Sequence, residues 1–179
     1  MTEGTDGRDG LLRLAAALES VSVAVGRSVA LLTVLMVLVT AVVVLLRYLF
    51  GLGWIWLQES ITWMHAAVFM LAAAYTLARE EHVRVDVFYR EMSPRARAWV
   101  DLVGTLVLLL PVCAFLLWSG WDYVASSWGI SEGSRESGGL PALYLLKSVL
   151  VAMPVLLGLQ GVALAARSAA VLLRGNSDR

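Results

Sequence analysis

This sequence is short of most things that chemistry in water requires. It has one cysteine, Cys113, which excludes an intrachain disulfide framework and any multi-cysteine metal site. Lying inside an apolar run, that thiol reads as a small buried hydrophobe. There are two histidines. His65 falls within an apolar run and His82 in a polar connection at the opposite end, so the pair cannot hold a haem at one depth. No nucleophile stands beside a base, and there is no phosphate loop and no zinc-spaced cluster. The chain therefore reads as a non-enzyme with no cofactor and no metal of its own. Charge is scarce as well: 16% of residues are charged, against about a quarter in a soluble domain. The formal net charge is zero, so charge gives no argument for nucleic acid as a partner.

What the chain has instead is apolar length. It is 59% hydrophobic over 179 residues, with a mean hydropathy of +0.76. The excess falls into four blocks at about 29–46, 61–78, 102–120 and 148–166, none of which contains Asp, Glu, Lys or Arg. Each is close to the ~20 residues that cross a hydrocarbon core as helix. Lipid offers no partner to free backbone groups, so closed helices follow. The fold class expected is an all-α integral membrane protein with four transmembrane helices.

Basic residues orient it. Three precede the first block (Arg8, Arg13, Arg27), five lie between the second and third (Arg79, Arg84, Arg90, Arg95, Arg97), and three follow the fourth (Arg167, Arg174, Arg179). Positive charge is retained in the cytoplasm, so both termini are expected there. Aromatic rings agree: Tyr48, Trp54, Trp56, Trp118, Trp121, Tyr123 and Tyr144 fall at the expected outer ends, and Tyr89 and Trp99 at the inner.

The remaining segments read as follows. Residues 1–10 are polar and expected to be disordered, and the start does not resemble a cleaved signal peptide. Residues 11–27 carry Leu11, Leu14, Ala15, Leu18, Val21 and Val25 at helical spacing. They form either an amphipathic helix on the inner surface or an extension of the first span. Residues 28–168 are the four-helix membrane domain and 169–179 a cytoplasmic tail. Ser93-Pro94 is a helix start, with serine as cap and proline in the first turn. Pro111 and Pro154 should kink spans three and four. Pro141 is expected to open a short helix into span four, and Gly158, Gly161 and Ala165 form a small-residue seam on it.

Polar groups near the spans are the candidates for function. Gln58, Glu59, Thr62 and His65 make a stripe near the outer half of span two, where such groups should face protein or water. Glu59 either couples an ion to transport or pairs with Arg47 at the end of span one. His65 reads as a hydrogen-bonded packing residue. His82, Arg84 and Asp86 alternate with valines after span two. They share one face if that segment is extended, and otherwise belong to a solvated turn.

These residues resemble a known family. Arg47-Tyr48 closes span one, Trp56 with Gln58-Glu59 opens span two, and His82-Val-Arg-Val-Asp86 follows it. Glu136-Ser-Gly-Gly139-Leu-Pro141, Lys147 and Leu159-Gln160-Gly161 come later. Together they resemble the small membrane subunit, DctQ-type, of a tripartite ATP-independent periplasmic (TRAP) transporter, in the branch labelled mannitol or chloroaromatic uptake. Ala72-Ala73-Ala74 departs from many relatives, which have a glycine there. The resemblance implies a scaffold in a bacterial inner membrane. Its partners would be a large polytopic permease subunit, a periplasmic substrate-binding protein and membrane lipid. It implies uptake of a small solute, often an organic acid, with sodium coupling in the large subunit. Glu59 and the outer loop would be available for contacts, while His82, Arg84 and Asp86 would brace the cytoplasmic side. A self-sufficient homo-oligomeric exporter using Glu59 is the competing reading.

Overall fold

The computed structural model describes residues 3–79, 89 and 91–177. Among them there are helices and no strands: α1 (Glu3–Phe50), α2 (Ile55–Leu71), α3 (Ala73–Ala78), α4 (Pro94–Gly104), a π-helical turn (Thr105–Leu109), α5 (Leu110–Gly129) and α6 (Leu143–Ser177). They make four helices long and apolar enough to cross a membrane, over Gly7–Phe50, Ile55–Ala78, Pro94–Gly129 and Leu143–Leu173. Each runs beyond its apolar block, because backbone hydrogen bonding continues into the flanking polar residues. Gln58 and Glu59 therefore sit on the helix rather than ahead of it.

Helix α1 runs without interruption for 48 residues, about 72 Å at 1.5 Å per residue. It starts at Glu3, inside the stretch expected to be disordered. The 11–27 lead is continuous with span one, so the helix extends that span. Only part of the anticipated stripe is packed: Ala15 is buried and Leu11, Leu18 and Val25 are half-buried, whereas Leu14 and Val21 are exposed; the other buried positions, Ser22, Gly26 and Val29, lie outside that stripe. The packed seam consists of small residues because neighbouring helices come close. A Cβ on Gly26 would overlap the Cβ and Cγ of Tyr75. The helix ends where Gly51 takes φ +66° and the Leu52 N–H reaches the Leu46 carbonyl at 3.1 Å. A glycine in the left-handed region just past the last turn is the usual terminator of a helix.

Helix α6 is the hub and packs on every other helical element. Ala163 and Ala166 meet Ala15 of α1, flanked by Leu11 and Leu18, and Arg167 pairs with Glu19. Gly161 faces span three, where a Cβ would stand 2.9 Å from Leu109 Cδ2. Gly158 lies against Cys113, which is buried. The small-residue seam thus serves this chain's own packing.

Span three shows how a proline is accommodated. Just before Pro111 the helix widens into the π turn, and the Leu110 N–H bonds the Thr105 carbonyl. Proline cannot donate and its ring crowds the preceding turn, and an inserted residue relieves that crowding. At the start of α4, Ser93 accepts from the Ala96 N–H at 3.3 Å, with Pro94 in the first turn. Pro154 lies buried inside α6. Pro141 does not open a helix: α6 begins at Leu143.

Candidate functional site

The densest polar structure sits where the α5–α6 loop meets the start of span two. Glu59, in the second turn of α2, turns its carboxylate toward that loop. One oxygen accepts from the Ser134 hydroxyl and the other from the Leu140 N–H at 2.7 Å. The loop is shaped to present both donors. The Ser134 N–H bonds the Leu140 carbonyl at 2.9 Å, and the Gly139 N–H bonds the Glu136 carbonyl at 3.0 Å. Ser134 Oγ also accepts from the Glu136 N–H at 3.1 Å. Residues 134–140 thus form a closed turn capped by a carboxylate from another helix.

Both glycines of the turn have a physical role. Gly138 adopts φ +78°, a conformation that costs side-chain-bearing residues energy. At Gly139 a Cβ would stand 2.7 Å from Glu59 Oε2 and 2.6 Å from Ser134 Cβ. A bare backbone lets the carboxylate and the Ser134 side chain seat here without displacement.

A second carboxylate secures the other side of the loop. Glu132 accepts from Ser127 Oγ at 2.7 Å and pairs with Lys147. The Lys147 ammonium also stands 4.0 Å from the centre of the Tyr123 ring. The bonds from Lys147 and Ser127, with attraction from Arg135, hold the Glu132 carboxyl below its ordinary value. Trp128 Nε1 donates to Ser148 Oγ at 2.8 Å, and its ring meets Tyr144 edge-on at 4.6 Å. Spans three and four are therefore stapled on either side of the loop.

The anticipated residues divide. Glu59, Gly139 and Lys147 belong to this network, and Pro141 lies against it, its carbonyl 3.3 Å from where a Gly133 Cβ would stand. The expected Arg47–Glu59 pair is absent: Arg47 is exposed, and the Glu59 oxygens are taken by the loop. One loop donor is the Leu140 backbone amide, held in place by the turn, whereas a flexible arginine at a helix end keeps its solvation. Trp56 is exposed, with its ring 6.3 Å from Trp54. Gln58 is exposed and has no hydrogen bond to the loop among the described residues. His65 is exposed too, stacked 6.5 Å from Phe69, and is not the hydrogen-bonded packing residue expected. Gln160 is 2% exposed and its Oε1 finds no partner among the described residues. His82, Arg84 and Asp86 lie outside the described residues.

Sequence reasoning missed Ser134, Ser127 and Glu132. No linear signal ties Ser134 to a carboxylate 75 positions away. A lysine at the head of an apolar span, however, signals a counter-charge nearby, and Glu132 is the loop's first acid. Chemically the network fastens a loop: its carboxylates accept from the protein's own donors. Among the described residues no group of three or more His, Cys, Asp or Glu could hold a metal.

The family described as tripartite ATP-independent periplasmic transporters, DctQ component, matches residues 11–171. The chain belongs to the DctQ family. It is the small component of a TRAP transporter, a multi-pass protein of the bacterial inner membrane. No curated protein and no solved structure matches it. The DctQ match runs from the seam of α1 into the last turns of α6, so it covers the anchored loop as well as all four spans.

Proposed function

We propose that this DctQ chain is a non-catalytic scaffold. It braces a large permease subunit and offers a docking corner to a periplasmic binding protein, for sodium-driven uptake of a small solute such as an organic acid. The observation that carries this reading is the anchored loop. Two carboxylates near the membrane are both committed to fixing the α5–α6 turn, which leaves a shaped, static surface rather than an ion pathway. Glu59 is the acid that a self-sufficient exporter would need, and its oxygens are occupied.

Eleven of the fourteen basic residues flank one end of the bundle: before span one, between spans two and three, and after span four. By the positive-inside tendency both termini are cytoplasmic and the anchored loop is periplasmic, on the side from which a binding protein would approach. The Gly138-Gly139-Leu140-Pro141 turn and Leu159-Gln160-Gly161 support the mannitol or chloroaromatic branch. Cargo identity belongs to the large subunit, since fold and family do not transfer specificity.

The test is gentle solubilisation of native membranes from cells carrying the tagged chain, with mass spectrometry of what co-purifies. A stoichiometric large polytopic partner is expected, and uptake should require it together with a binding protein. Recovery as a homo-oligomer that transports alone would overturn the reading. Alanine at His82, Arg84 or Asp86 should lower assembly or uptake without altering substrate preference.

A further inference from the structure

Span three and α6 leave a groove between them at the Arg95 end. It holds about 350 Å³ and is lined by Arg95, Trp99 and Leu102 from α4 and by Ala169, Leu172 and Leu173 from α6. On α4 these residues are four and three apart, so they share one line of the helix. The groove extends beyond the charge-free apolar blocks. Arg95 precedes Leu102, which opens one block, by seven positions, and Leu173 follows Ala166, which closes another, by the same number. Seven residues of helix rise about 10 Å. The groove therefore lies in the band between hydrocarbon and water, where headgroups and the first chain segments of lipids sit.

Its walls are apolar. Trp99 is 52% exposed and Leu173 51%, while Leu102, Ala169 and Leu172 are half-buried. Its one charge is a cation. Two other arginines of this end are engaged within the chain. Arg97 Nε donates to the Met92 carbonyl at 3.1 Å, with its guanidinium 5.3 Å from the centre of the Tyr89 ring, and Arg167 pairs with Glu19. Arg95 is exposed and makes no hydrogen bond or ion pair among the described residues. No described carboxylate lines the groove. Glu91 is exposed outside it, and Asp101, the acid of α4, accepts from the Tyr89 hydroxyl at 2.7 Å in a neighbouring crevice.

An occupant that suits these walls brings apolar length and a negative charge, and no ammonium in need of a partner. We infer that the groove holds one anionic phospholipid, its phosphate at the Arg95 guanidinium and its first chain segments between Trp99 and Leu172. Basic pockets between transmembrane helices on the cytoplasmic side receive anionic headgroups in this way. The leaflet follows from the N-in orientation proposed above, and the inference rests on that reading. A transmembrane helix of the large subunit is the competing occupant. At about 10–12 Å across it is too wide to enter the groove and could only cover its mouth.

The experiment reads lipid retention by native mass spectrometry on the full chain, alone and with the large subunit. The detergent carries phosphatidylglycerol or phosphatidylcholine with identical acyl chains. One phosphatidylglycerol per chain should be retained, about fivefold more tightly than phosphatidylcholine, the preference expected for one arginine at the surface. Arg95→Gln should remove that fivefold preference, and Ala169→Trp, which fills the groove, should remove retention of both lipids. Arg27→Gln, at an exposed arginine of α1 outside the groove, should change nothing. Equal retention of the two lipids by the wild type, or an undiminished preference in Arg95→Gln, would overturn the assignment. Loss of the lipid when the large subunit binds would also overturn it and give the groove to that partner. Should Ala169→Trp fail to fold, brominated phosphatidylglycerol takes its place: it should quench the emission that Trp99→Phe removes, and no quenching would overturn the assignment. Labelling of a Ser131→Cys chain in intact cells by an impermeant maleimide tests the orientation separately. Absence of labelling would remove the N-in reading and the cytoplasmic leaflet, while the Arg95 dependence still decides the lipid contact.

Discussion

Gln58 and Glu59 are neighbours on one helical turn and have opposite relationships to the rest of the chain. Glu59 faces inward and is saturated by a loop 75 to 81 residues away, whereas Gln58 faces outward and heads a row of unmatched polar groups. The same contrast runs the length of the second span. Its inward face ends at Tyr75, packed on Gly26, and its outward face ends at Phe69, 76% exposed. A polar residue on a membrane helix is therefore not functional or structural by type. Which side of the helix it occupies decides whether it meets the rest of this chain or stays exposed.

The hardest blow to the inward face should come from Gly26→Val. The added side chain overlaps Tyr75 near its backbone, where little can yield, so about 3 kcal/mol or more of destabilisation is expected. A lower unfolding temperature of the purified subunit would reveal it. Gly139→Ala strikes the loop end of the same face. Its Cβ would meet Glu59 and Ser134 side chains, which can shift, so the cost should be smaller, about 1–2 kcal/mol, with increased protease cleavage at 134–140.

Glu59→Ala removes the acceptor and leaves the backbone in place. The Leu140 amide should exchange faster with solvent, while the helices stay as protected as before. Unchanged exchange at Leu140 would show that the loop holds itself and would weaken the contrast between the two faces.

The smallest effect is a pH dependence at the other carboxylate. Glu132 titrates below its ordinary value of 4.5 in the folded chain. Its bonds to Lys147 and Ser127 thus favour folding fully above about pH 4.5, and that contribution is lost as pH falls through the depressed folded value. A Lys147→Met chain should lack most of this acid sensitivity, measured as the unfolding temperature at pH 7 against pH 4.

The legibility of these features followed their range. Ser93-Pro94 was readable as a helix start because a cap is a contact across three residues. Gly138-Gly139 could be marked as important, but not explained, since the reason is a carboxylate from another helix. Sequence alone does not set the length of α1, because a stripe of Leu and Ala suits either a helix on the inner surface or an extension of the first span. Packing of Ala15 against Ala163 and Ala166 selected the second. Arg47 and Glu59 share a depth in the sequence pattern, and depth is not proximity.

By itself the sequence determined that this chain has four apolar helices, how its charge is distributed about them, and which family it belongs to. Those follow from local quantities: residue transfer energies summed over about twenty positions, the count of arginines in each connection, and short motifs at fixed spacing. Tertiary structure alone decided that Glu59 belongs to the Ser134–Leu140 turn and that Gln58, Thr62 and His65 remain open. Helical periodicity fixes which residues share a face, but the face turned toward the protein is chosen by close packing among all four helices together.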